Sequence, residues 1–87
     1  MSEESLLEFP CDLPIKVFGK NATGFKARVV EIFSSHFDAP AANDVREQLS
    51  RNNGYASLTI TVRAETRAQI DALYEELTAD EEIMMVL

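Results

Sequence analysis

The stretch Tyr55-Ala56-Ser57-Leu58-Thr59-Ile60-Thr61-Val62-Arg63 decides the fold. It alternates without a break. Ala56, Leu58, Ile60 and Val62 fall on one side, and Tyr55, Ser57, Thr59, Thr61 and Arg63 on the other. Residues of this kind suit a pleated, half-buried surface. A segment of period two packs its apolar face on a core and leaves the other face open. The stretch is therefore expected to be a central strand of a small α+β sheet.

Asn53-Gly54 stands directly before it and signals a hairpin. A two-residue turn there pairs the strand with a weaker one over 43–50, setting Leu49 opposite Leu58 and Val45 opposite Val62. The same register turns Glu47 toward the core side, opposite Ile60. An inward charge is tolerated on an edge strand and guards against edge-to-edge association.

Two helices flank this hairpin. Phe25, Val29, Ile32, Phe33 and His36/Phe37 recur at helical spacing, predicting a helix over 23–37 that Asp38-Ala39-Pro40 ends. Ile70, Leu73, Tyr74 and Leu77 form the stripe of a second helix over 66–78, opened by a capping box of Thr66 and Gln69. Leu13, Ile15 and Val17 alternate in a first strand over 13–20. Ile83 to Leu87 makes the last strand, with Ile83, Met85 and Leu87 on one face and Met84 and Val86 on the other. Residues 1–12 are read as an acidic arm ahead of a single domain over 13–87. The order β-α-β-β-α-β with right-handed crossovers gives a ferredoxin-like plait. Its four-stranded antiparallel sheet carries both helices on one face and leaves the other bare.

The 87 residues allow one domain, burying about 60–65% of the unfolded surface and leaving little room for an internal cavity. No apolar run is long enough to span a membrane and no charged-then-apolar leader is present, so a cytoplasmic protein is expected. The single Cys11 has no intrachain disulfide partner and no metal-ligand spacing around it. Neither a metal nor a cofactor is expected.

The net charge of −7 is unevenly spread. Glu3, Glu4, Glu8 and Asp12 make the start acidic, and residues 65–87 hold seven acids against Arg67. The middle, 13–64, has seven bases against four acids. Overall acidity argues against general nucleic-acid binding, where phosphate neutralisation supplies most of the affinity.

The chemistry-bearing signals are few. Gly19 and Gly24 have the spacing of a phosphate loop, but Phe25 follows where the lysine is needed. A milder expectation is an anion or carboxylate held by backbone N–H groups at the first helix start, near Lys20 and Lys26. Tyr55 and its strand echo the RNA-binding strand of RNA-recognition motifs. Ser57 and Lys16, however, stand where further stacking aromatics are required. Cys11 and His36 could form a dyad only on paper, since nothing in the sequence lowers the thiol's pKa. An enzyme is not expected. On the bare sheet face, Phe18, Tyr55, Met84 and Val86 are the expected contacts for a protein partner or a homodimer.

The segments LLEFP near the start, IKVFG on the first strand, NGYASLTITV, ALYEEL and the terminal MMVL occur in one order along the chain. Together they resemble the YbeD-like family, small bacterial proteins of unknown function whose genes often lie near those for lipoate attachment. The resemblance implies a plait similar to ACT domains, the regulatory modules that bind amino acids or other small effectors. ACT domains use the loop after the first strand. Carried over, this points to Gly19, Lys20, Asn21 and Thr23 as effector-binding residues. The expected function is a non-enzymatic regulatory domain, with a protein-interaction adaptor as the alternative.

Overall fold

The computed structural model describes residues 9–37 and 44–87. Residues 1–8 and 38–43 lie outside the described residues. Most of the expected arm, the Asp38-Ala39-Pro40 helix stop and Asn43 at the start of the second strand therefore lie there too.

The elements are β1 (Cys11–Lys20), α1 (Phe25–Ser34), β2 (Val45–Leu49), β3 (Tyr55–Ala64), α2 (Arg67–Ala79) and β4 (Ile83–Val86). They form one antiparallel sheet in the order β2-β3-β1-β4, the ferredoxin-like plait. β1 begins at Cys11, so Cys11 and Asp12 belong to the sheet rather than to an arm. Its ten-residue ladder with β3 runs from Cys11 opposite Ala64 to Lys20 opposite Tyr55.

The core lies between this sheet and the two helices. Ile15 and Val17 from β1 meet Leu58, Ile60 and Val62 from β3, and Phe25, Val29, Ile32, Phe33, Leu73 and Leu77 close over them. Fully burying a side chain of this size contributes about 1.5–3 kcal/mol, so the plait rests on these few residues.

α1 is shorter than its apolar spacing suggests, whereas α2 keeps its expected length. Gly24 takes φ 88, in the left-handed region, so α1 starts at Phe25 rather than at Thr23. At the other end the Ser34 and Ser35 hydroxyls donate to the Val30 and Glu31 carbonyls. Serine hydroxyls competing for helix carbonyls weaken the last turn. At α2, the Thr66 hydroxyl accepts from the Gln69 N–H at 3.2 Å, and the Gln69 side chain accepts from the Glu65 N–H at 2.9 Å. The Gln69 amide also donates to the His36 carbonyl, tying the start of α2 to the end of α1.

Two registers differ from the sequence reading. In the β2–β3 hairpin, Val45 lies opposite Ile60, Glu47 opposite Leu58 and Leu49 opposite Ala56. The slip is two residues, so every side chain keeps its face. Its cause is a longer connection over 51–54. The Asn53 N–H donates to the Ser50 carbonyl, Asn53 adopts φ 60, and the Asn52 side chain accepts from the Gly54 N–H. The Ser50 hydroxyl then takes the Tyr55 N–H.

In β4, Val86 lies opposite Val17, Met85 opposite Phe18 and Ile83 opposite Gly19, with a bulge between the last two pairs. One extra residue reverses the face of everything beyond it. Val86 therefore packs with Ile83 against the core, not on the bare face as expected. Met85 and Leu87 take its place there. Leu87 exchanges both backbone hydrogen bonds with Lys16, at 3.0 and 2.8 Å.

Candidate functional site

The loop after β1 and the tip of the β2–β3 hairpin meet at one end of the sheet. The Asn21 N–H donates to the Gly54 carbonyl at 3.1 Å, and the Asn21 side-chain amide donates to the Asn53 carbonyl at 2.9 Å. The left-handed turn at Asn53 presents that carbonyl. Beyond this latch the chain tightens, with Ala22 N–H on the Lys20 carbonyl and Phe25 N–H on the Ala22 carbonyl. Gly24 then delivers the chain into α1 with no side-chain cap.

A recess of about 540 Å³ opens here. Its walls are Asn21, Ala22 and Gly24 from the loop, Phe25, Lys26, Ala27 and Val30 from α1, and Glu47 from β2. Among the described residues, the N–H groups of Lys26 and Ala27 in the first turn of α1 have no protein acceptor. A helix start carries partial positive charge from such groups. Lys26 adds a full charge on the same wall, and Glu47 stands across from it with no ion pair between the two. One recess thus offers donors and a cation on one side and a carboxylate on the other, over an apolar floor.

The four residues expected to hold an effector are not brought together. Asn21 lines the recess, though its amide is engaged in the latch. Thr23 is exposed in the turn, and Lys20 ends β1 opposite Tyr55, away from the recess. Gly19 is buried, with a side-chain position filled by the Phe25 ring and the Glu82 carbonyl, so it is a packing residue. Sequence reasoning missed Glu47 and Val30 as recess residues. The inward phase of Glu47 on the edge strand was the available signal.

Of the expected partner contacts, Phe18 and Tyr55 do lie on the bare face, and Met84 is exposed beside the bulge. The Cys11–His36 pairing does not form among the described hydrogen bonds. The His36 ring meets the Glu76 carboxylate at 2.7 Å instead. On the opposite flank, Arg28 pairs with Asp80 at 2.5 Å, and the Asp80 side chain is only 5% exposed. The Glu82 N–H and the Arg28 guanidinium hold the Asp80 carboxyl below its ordinary pKa. Burial pushes the Tyr74 phenol up. Among the described residues, no three His, Cys, Asp or Glu side chains gather as a metal site would require.

The backbone of this plait is ACT-like. The solution NMR structure of the ACT domain from GTP pyrophosphokinase of Chlorobium tepidum is similar, with a TM-score of 0.66 and 14% identity, over 87% of this chain and 84% of that one. The crystal structure of the same domain gives 0.64 and 16%, over 87% and 94%. At such identity the likeness concerns the fold alone. The chain belongs to the family described as protein of unknown function (DUF493), matched over residues 4–87. It is similar to a UPF0250 protein of Nitrosomonas europaea, 43% identical over the whole of both chains. A UPF0250 protein of Leptothrix cholodnii is 42% identical over 98% of this chain and 93% of its own. No helix among the described residues is long and apolar enough to cross a membrane.

Proposed function

We propose that the chain is a non-enzymatic regulatory domain of the cytoplasm that binds a small zwitterionic effector in the recess at the start of α1. One observation carries this reading: Lys26 and the unpaired N–H groups of the first turn share the recess with Glu47. A carboxylate on the effector meets the helix start, where anions are stabilised. An amine on the same molecule meets Glu47, and a short apolar group rests on Ala22, Phe25 and Val30. The likeness of the backbone to an ACT domain supports a regulatory role in the same direction. The latch from Asn21 to the hairpin tip gives binding a route to the sheet, since an effector that seats against the loop also stiffens the β2–β3 turn.

The test is a thermal-shift screen of the purified protein against amino acids, lipoyl and octanoyl compounds and nucleotides. A ligand in hundredfold excess over its dissociation constant adds about 2.7 kcal/mol of stability. In a domain of this size that raises the melting temperature by roughly 10 °C or more. Glu47→Gln and Lys26→Ala should each reduce the shift and leave the unliganded melt in place. A flat screen, or a shift that survives both substitutions, refutes the reading.

A further inference from the structure

The sheet face opposite the helices has a charge at odds with the rest of the molecule. The β1–β3 and β2–β3 registers place Lys16, Lys20, Arg46 and Arg63 on it, with Asp12 as its acid. The chain has eight lysines and arginines and fifteen acids. Half of the cations thus gather on a face whose paired strand positions hold one acidic side chain, and that carboxylate meets Arg63 at 3.4 Å. The Lys16 ammonium lies 5.8 Å from the Phe18 ring centre. Among the described residues, neither Lys20 nor Arg46 has an ion-pair partner.

Apolar side chains stand among these charges. Tyr55 is 50% exposed, Met85 54% and Leu87 64%. The bulge in β4 brings the last two there, beside Phe18 and Lys16. Between β1 and β2 a shallow depression is lined by Lys16, Phe18, Gln48, Tyr55 and Ser57. Flexible methionine and leucine beside an aromatic ring make an adaptable contact surface.

From this we infer that the open sheet face docks an acidic, apolar peptide segment of a partner protein. Its carboxylates meet Lys16, Lys20 and Arg46, and its apolar side chains cover Phe18, Tyr55, Met85 and Leu87. A second copy is a poor occupant, because face-to-face pairing sets the same cations against each other. A nucleic acid extends far past the face and meets the field of a molecule with net charge −7. A short acidic segment meets only the cationic side. This surface lies across the sheet from the effector recess, and neither reading depends on the other.

The experiment is fluorescence anisotropy of the full chain with a labelled peptide of alternating glutamate and leucine. The comparators are the same peptide with glutamine for glutamate and an oligouridine of equal length. The glutamate peptide should bind, with an affinity that falls as salt rises. Lys16→Glu with Arg46→Glu should weaken it about tenfold or more, as should Leu87→Asp. Glu47→Gln, at the recess, should leave it unchanged. Far-UV circular dichroism melts check that each variant folds. Four outcomes overturn the proposal: no binding of the glutamate peptide, equal binding of the glutamine peptide, no loss on charge reversal, or tighter binding of the oligouridine. Self-association through the face, seen by sedimentation and abolished by Leu87→Asp, overturns it in favour of a dimer.

Discussion

Gly19→Ala tests the packing that joins the end of β1 to α1 and to the turn ahead of β4. A methyl group at this position would lie 2.4 Å from Cε1 of Phe25 and 2.5 Å from the Glu82 carbonyl oxygen. Ordinary contact begins at 3.4 Å, so each neighbour must retreat by about 1 Å. Neither can do so freely. Phe25 is 3% exposed, and its ring is enclosed by the core. The Glu82 carbonyl belongs to a turn held by the Glu82 N–H on the Asp80 carboxylate and the Ile83 N–H on the Asp80 carbonyl. Overpacking costs about 1–3 kcal/mol, and two neighbours on two elements put this site near 3. A domain of this length has roughly 4–13 kcal/mol in total. The melting temperature should fall by about 10–20 °C. Urea denaturation followed by far-UV circular dichroism gives the free energy, with the midpoint falling and the slope unchanged. Two other glycines calibrate it. Gly24→Ala has open space but φ 88, and should cost about 1–2 kcal/mol from backbone strain alone. Gly54→Ala, with only the Asn52 side chain near it, should change least. In a Phe25→Leu background the cost of Gly19→Ala should shrink, because part of the clash is with the ring. A Gly19→Ala protein as stable as Gly54→Ala would refute the reasoning.

Two further expectations concern the turn into β4 and the strand itself. Asp80→Asn should destabilise by about 1–2 kcal/mol at neutral pH, through weakened charge-assisted hydrogen bonds to Arg28 and Glu82. The folded carboxyl titrates below its ordinary value of 3.8, so the advantage of the ionised form is fully present above that value. It is lost as pH falls through the folded pKa, and denaturation curves of the two proteins should converge in acid. A gap independent of pH would place the effect elsewhere. The bulge makes a second contrast. Val86→Asp puts a charge against the core and should cost about 3 kcal/mol or more, whereas Leu87→Asp should stay within about 0.5. The reverse order, measured by the same melts, would restore unbroken alternation in β4.

Much of this was legible because alternation and helical spacing are local. Tyr55 to Arg63 has one face that water rejects and one that it accepts, so its role could be read without its neighbours. Thr66 and Gln69 announced the start of α2 in the same way. The segment Ile83-Met84-Met85-Val86-Leu87 is apolar at every position, and a uniform segment carries no phase. Its pairing with β1 and the bulge beside Gly19 chose the face, and so turned Val86 to the core and brought Met85 and Leu87 to the bare side. The hairpin was half legible. Asn53-Gly54 marked the turn, but the Ser50 and Asn52 side chains lengthened it, and an even slip hid the difference from the face pattern.

The candidate sites divide along the same line. The sequence by itself determined a four-stranded plait with two helices on one side, because burying the apolar stripes of six short elements admits few arrangements. It also determined that Glu47 points toward the helices and that Phe18 and Tyr55 point away. Only the tertiary structure decided that Gly19 is packed shut, that Lys20 turns to the sheet face, and that Lys26 and Glu47 border one recess. Lys26 and Glu47 lie far apart in the chain and meet across elements. Their proximity depends on the hairpin register and on the latch between Asn21 and the turn at Asn53, neither of which any local pattern encodes.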